Sequence, residues 1–192
     1  MKKLAELFGS SSRELKSVRT ITVCAMLAAA AIILVNFRIE LTNTQRIGFS
    51  GIPNRIVEFL FGPVTGCLFG GALDIMKYML KPTGPFFFGF TFNAMLAGII
   101  YGSAFYKKPI SIKRIAVAEL LVKIIVNCFF NTLWISMLYG KGFFVLLPAR
   151  LLKNAIMLPI DSAILFVSFT YAKKLLYRVG CFPERSGSRP GI

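Results

Sequence analysis

Apolar stretches long enough to cross a bilayer recur along this chain, and its basic residues gather between them. That pattern places the chain among integral membrane proteins. Only 16% of the residues are charged, 56% are hydrophobic, and the mean hydropathy is +0.69. With 192 residues, one compact helical bundle is the natural size. The formal charge of +15 raises nucleic-acid binding as an alternative, but the positions argue against it. Lys2, Lys3, Arg13, Lys16 and Arg19 form one cluster, and Lys107, Lys108, Lys113 and Arg114 a second. Lys173, Lys174, Arg178, Arg185 and Arg189 form a third. All three flank apolar segments, which is the positive-inside pattern and sets them in the cytoplasm.

These signals predict an all-α, six-transmembrane-helix bundle with both termini cytoplasmic. Helix 1 is expected over Ser17–Phe37, a short helix 2 over Pro53–Phe61, and helix 3 over Val64–Leu80 after the Gly62-Pro63 break. Helix 4 is expected over Thr91–Tyr106, helix 5 over Ile115–Tyr139 and helix 6 over Pro148–Tyr177. The loops 38–53, 81–90 and 140–147 then lie outside the cell. Residues 1–179 read as a single membrane domain and 180–192 as a polar tail. The first apolar run follows a basic start, yet Asn36-Phe37-Arg38 offers no small-residue cleavage site, so an uncleaved spanning helix is expected. The cysteines at 24, 67, 128 and 181 have no CxxC spacing and there is no histidine, so neither a metal site nor a disulfide framework is expected. No cofactor is expected. Without histidine or closely paired carboxylates, an intramembrane enzyme is disfavoured.

Ionisable and amide groups at membrane depth face protein or a wet cavity. Glu119, Lys123, Asn127 and Asn131 follow one another at four-residue steps, with Trp134 next, so they share a helix face. Arg150, Asn154 and Asp161 form a second stripe on the following helix. Depth estimates put Lys123 and Asp161 level enough to pair, with Glu119 beside them, as a structural ion cluster in the inner half. The outer half reads as a cup formed by Asp74, Lys77, Asn93, Asn131, Trp134, Arg150 and Asn154. The motif Lys81-Pro-Thr-Gly-Pro-Phe-Phe-Phe-Gly-Phe-Thr-Phe-Asn93 would form one wall, including Phe90 and Thr91. Aromatics suit a ring face and amides a heterocycle edge. Arg46, Lys77, Lys81 and Lys141 make the mouth basic, which draws an anionic ligand. On helix 1, Ala25 and Ala29 stand four apart, and such small-residue faces serve internal packing or docking of another protein.

The chain resembles the substrate-binding S components of energy-coupling factor transporters, in their folate-specific branch. The resemblance rests on Ala25 and Ala29, on Gly62-Pro-Val-Thr-Gly66 leading into Gly70-Gly-Ala-Leu-Asp74, and on Pro82-Thr-Gly-Pro-Phe86 with Gly89-Phe-Thr91. It covers residues 17–178 and is most specific over 61–102. Phe88 stands where the family pattern Phe-Pro-Gly-Phe-Thr has proline. The resemblance implies a cell-membrane protein that binds folate from outside, with no enzymatic activity of its own. It implies a transmembrane coupling subunit docked on the Ala25/Ala29 face, two cytoplasmic ATPases, and a body that topples in the membrane lipid. The chain has no P-loop, so ATP hydrolysis falls to the partners. Riboflavin and thiamin are the rival ligands. Cationic thiamin suits a basic mouth poorly, and riboflavin lacks carboxylates to meet it.

Overall fold

The structure is a computed structural model that describes residues 2–15, 17–36, 39–42, 45–47, 49–82, 84–140 and 142–178, with the backbone alone in the strands and at the outermost helix ends. Five helices are long and apolar enough to cross a membrane: Val18–Val35, Ile52–Leu80, Phe88–Phe105, Ile112–Tyr139 and Phe143–Lys174. In chain order these are α2 (Val18–Val35), α3 (Ile52–Leu80) and α4 (Phe88–Phe105). The fourth is composite: α5 (Ile112–Val122), a π-helical segment (Lys123–Phe130) and α6 (Asn131–Tyr139) run end to end. The last is α7 (Phe143–Arg178), and α1 (Lys2–Glu14) precedes them all.

α3 is not one rod. Gly62 takes φ 86°, ψ −168°, followed by Pro63, which has no N–H to continue the ladder. A side chain at Gly62 would also press on the Tyr106 ring, 2.9 Å from its would-be Cβ. The two arms fold back on each other. Lys77 Nζ lies 3.2 Å from the Ser50 carbonyl oxygen, and a Cβ on Gly66 would lie 3.5 Å from Glu58 Cα. In a straight helix 27 residues span about 40 Å, so only a hairpin brings 50 and 77 together. The expected break between helices 2 and 3 is therefore present inside what hydrogen bonding alone would join.

Other boundaries move. α4 starts at Phe88, absorbing three residues of the expected loop, and α7 starts at Phe143, absorbing most of the loop expected over 140–147 and passing through Pro148. Within the loop expected over 38–53, β1 (Ile39–Thr42) and β2 (Gln45–Ile47) pair antiparallel, and a 3₁₀ turn covers Phe49–Gly51. The tail from 179 onward lies outside the described residues.

The closest helix pair is the second arm of α3 against α4. Glycines make the contact: a Cβ on Gly98 would sit 2.5 Å from the Gly66 carbonyl oxygen, and one on Gly102 would sit 2.4 Å from Pro63 Cα. Small residues let membrane helices approach to backbone contact. One core cluster, with Tyr101, Phe105, Ile115, Val122, Leu165 and Phe169, joins α4, α5 and α7. Another joins α2 to α3 through Ala28, Ala31, Val57, Phe61 and Leu73. Ala25 and Ala29 point the other way and are exposed.

α1 was not legible as an element, and it fastens the α3 hairpin. The Ser11 hydroxyl is fully buried and donates to the Phe61 carbonyl (2.6 Å) while accepting from the N–H groups of Val64 (3.1 Å) and Thr65 (3.3 Å). A broken helix leaves such backbone groups orphaned, and one serine from outside satisfies three of them. Ser11→Ala is expected to lower stability by about 2 kcal/mol, because buried groups lose their partner while the shape is kept. The thermal unfolding midpoint in detergent reads this out; an unchanged midpoint would show that the fastening is dispensable.

Candidate functional site

A cavity of about 340 Å³ opens between the first arm of α3, α4, the α5–π segment and α7. Gly51, Ile52, Asn54 and Arg55 line it from α3 and its leading turn; Asn93, Ala94, Ala97 and Tyr101 line it from α4. Glu119, Val122, Lys123, Val126 and Asn127 come from the composite helix, and Asp161, Ile164 and Leu165 from α7. From Asn93 to Tyr101 is about 12 Å along a helix, and so is Asn127 to Glu119, so the space runs lengthwise between the helices. Its lining mixes amides, paired ions and aliphatic side chains, which suits a slender ligand with polar edges.

The helical winding explains which residues reach it. Four residues turn an α-helix by about 400°, so a four-residue repeat drifts by about 40° per step. The π segment is wound more loosely, with i→i+5 bonds, and turns the drift back. Glu119, Lys123 and Asn127 thus stay on the cavity face. Asn131, where α-helical winding resumes, is not among the lining residues.

Charges alternate along the inner part of the cavity. Arg55 Nη1 meets both carboxylate oxygens of Glu58, at 2.9 and 3.1 Å, and its guanidinium lies 3.6 Å from the Tyr101 ring centroid. Tyr101 and Glu119 line the same cavity. Lys123 Nζ stands 3.8 Å from Glu119 and 2.5 Å from Asp161 Oδ2. Glu58, Glu119 and Lys123 are buried, while the Asp161 side chain keeps 34% exposure. Every buried charge here has a counter-charge, without which the desolvation cost would be several kcal/mol. The ions taken from sequence as a structural cluster apart from the cup thus share one space with Asn93.

An aromatic wall borders the Asn93 end. Trp134 Nε1 donates to Asn93 Oδ1 at 3.2 Å, and Phe87 and Phe130 pack on the indole with ring centroids 5.5 and 6.1 Å away. Gly89 makes room for this: a Cβ there would lie 2.7 Å from the indole. Phe90 sits edge-on to Phe87. Tyr78 donates to the Gly84 carbonyl, tying the 81–87 connection to α3.

The remaining expected site residues are placed around the cavity rather than on it. Thr91 donates to Asp74 Oδ2 at 2.8 Å, across the α3–α4 seam. Lys77 holds Ser50. Arg150 is buried with Nη1 3.5 Å from the Asn127 carbonyl, and Asn154 donates to Cys128 Sγ at 3.4 Å. Arg46 stands opposite Glu40 in the hairpin register, and its side chain, like Lys141 as a whole, lies outside the described residues. Sequence reasoning missed Asn54, Arg55 and Tyr101. The i,i+3 spacing of Arg55 and Glu58 was the signal of an internal pair.

Comparison with known proteins follows the same lines. The family described as "ECF transporter, substrate-specific component" matches residues 19–169. A folate transporter FolT of Clostridium novyi (strain NT) is 34% identical over 161 residues, which is 84% of this chain and 94% of that protein. A folate transporter FolT of Leuconostoc mesenteroides is 32% identical over 152 residues, 76% of this chain and 82% of that protein. Among solved structures, that of FolT bound with folic acid superposes with a TM-score of 0.74 at 31% identity, covering 81% of this chain and 98% of that one.

Proposed function

The chain belongs to the substrate-specific components of ECF transporters, and we propose on that premise that it binds folate from outside the cell for ATP-driven uptake. The observation that carries this is the cavity itself, in a fold matching FolT bound with folic acid over nearly all of that chain. The cavity has polar groups along its walls, and its Asn93 is held by Trp134 of the neighbouring aromatic cluster. Folate joins a flat pterin, a benzoyl spacer and a dianionic glutamate. The Trp134 and Phe87 cluster beside Asn93 suits the ligand's rings, and the amides of Asn93 and Asn127 suit its polar edges. Lys77, Arg46 and Arg150 are the cations that suit the glutamate carboxylates. Asp74 and Thr91 brace the seam beneath them, while Asn131 and Asn154 complete the outer rim.

Counting the two arms of α3 separately gives six crossings, with the first arm short. Both termini and the loop after α4 then lie in the cytoplasm, together with the three basic clusters. The chain sits in the cell membrane, with the 81–87 connection and the β-hairpin facing outside.

ATP hydrolysis is supplied by two ATPase subunits joined through a transmembrane coupling subunit. The face of α2 carrying Ala25 and Ala29 is exposed and free of its own bundle, and suits close helix contact. Replacing both alanines by leucine is expected to leave folate binding intact and to abolish copurification with the coupling subunit. Retained copurification would place the docking face elsewhere.

The function is tested by uptake of labelled folate in cells that carry the coupling subunits, with and without this chain. Uptake that appears only with the chain supports the reading. Uptake of riboflavin or thiamin in place of folate would overturn it.

A further inference from the structure

We propose that the connection between α4 and α5 carries a site for the headgroup of an anionic phospholipid, whose acyl chains lie along the outward face of α5. The connection joins two spans, so it stands at the border of the bilayer. Residues 107–114 include Lys107, Lys108, Lys113 and Arg114 and no acid. Positive charge beside a span is general in membrane proteins. Two of these cations, however, are fixed by the fold on the rim of one groove.

Lys107 takes a left-handed backbone, φ 56°, which is uncommon for a residue with a side chain. The turn returns Lys108 to the end of α4. Its N–H donates to the Phe105 carbonyl at 3.1 Å, and its Nζ donates to the Ser103 carbonyl at 2.7 Å. Arg114, in the first turn of α5, donates from Nη1 to the Pro109 carbonyl at 3.1 Å. Lys108 and Arg114 line the groove together, over a floor of Phe59, Phe105, Ile115 and Phe169. That floor is firm, because Phe169 packs on Phe59 and Phe105 with ring centroids 4.8 and 5.0 Å away.

Both cations keep donors to spare. An ammonium carries three N–H donors and a guanidinium five, and the carbonyl bonds take one from each. Arg55 and Lys123 are paired with carboxylates, but Lys108 and Arg114 have no carboxylate partner among the described residues. A phosphodiester supplies that counter-charge and accepts from both. The groove itself holds about 10 Å³, room for no more than one water, so the anion rests on its rim. A free phosphate would stay hydrated there, whereas a phospholipid adds apolar contact. Val117, Leu121 and Ile124 follow Arg114 at helical spacing and are 57%, 45% and 52% exposed, a track for acyl chains leading away from the rim.

The test titrates the purified full chain, in a nonionic detergent, with dioleoyl phosphatidylglycerol, dioleoyl phosphatidylcholine and inorganic phosphate. The unfolding midpoint is followed, because a ligand of the folded state raises it. Phosphatidylglycerol is expected to bind about 10- to 30-fold tighter than phosphatidylcholine, the worth of two basic side chains beside an anionic headgroup. Inorganic phosphate is expected to leave the midpoint unchanged. Lys108→Gln with Arg114→Gln is expected to bind the two lipids equally. Lys2→Gln with Lys3→Gln removes the same charge from α1 and is expected to keep the preference. Equal binding of the two lipids by wild type would overturn the proposal without any variant. A preference that survives at Lys108/Arg114, or that falls as far at Lys2/Lys3, would also overturn it. So would inorganic phosphate stabilising the chain as much as phosphatidylglycerol does.

Discussion

Arg55→Ala is expected to cost about 3–5 kcal/mol of stability and to remove folate binding. The reason is Glu58, which is 1% exposed and has both oxygens on the Arg55 guanidinium. Truncating the arginine leaves a carboxylate with no counter-charge in a membrane interior. It also removes the cation stacked on Tyr101, so a cavity-lining tyrosine loses its packing. Arg55→Met with Glu58→Leu is expected to recover most of the stability, since replacing both members of a buried pair by apolar groups is often neutral. It is not expected to recover binding, because Arg55 lines the cavity. Unfolding midpoints of the two variants separate the terms. A single variant as stable as wild type would mean that the pair does not anchor the short arm.

Gly98→Leu is expected to abolish the folded protein altogether. A Cβ at Gly98 would lie 2.5 Å from the Gly66 carbonyl oxygen, 2.6 Å from its carbon and 2.8 Å from the Cys67 nitrogen. Those are backbone atoms of a packed helix, with no rotamer to give. Both helices would have to separate, and the cavity wall carrying Asn93, Ala97 and Tyr101 would move with α4. Overpacking in a core already costs about 1–3 kcal/mol where side chains can yield. Here they cannot, so no monodisperse protein is expected from the detergent extract. Recovery of a well-behaved Gly98→Leu protein would contradict the close approach of α3 and α4. Gly9, with nothing within 4 Å of its would-be Cβ, serves as the tolerant control on substituting glycine.

The spans were legible because apolar length is what a membrane demands, and the Gly62-Pro63 break was legible because glycine and proline both oppose helix. The pairing of Lys123 and Asp161 was also within reach of arithmetic on helix rise. With α7 starting at Phe143, Asp161 is about 27 Å from the start of its helix, and Lys123 is about 24 Å from the Tyr139 end of its own. α1 was invisible because it is polar and short, so hydropathy over a spanning window passes over it. The first arm of α3 was legible as the short helix 2 over Pro53–Phe61, but the cavity-lining Asn54 and Arg55 were not, because such residues look solvated until a partner helix covers them. Asn131, Arg150 and Asn154 were read from repeat spacing, and the structure sets Arg150 against the Asn127 carbonyl and Asn154 against Cys128, beside the cavity. The cavity is therefore deeper than the cup read from sequence, and its inner end is ionic.

The measurement that bears most directly on the central claim is equilibrium titration of the purified full chain in detergent with folate, riboflavin and thiamin in parallel. Folate is expected to bind with a dissociation constant in the low-micromolar range or tighter, about −8 kcal/mol or stronger, and thiamin and riboflavin not at all. Failure of folate to bind in that range, or saturation by either of the other vitamins, would contradict the account.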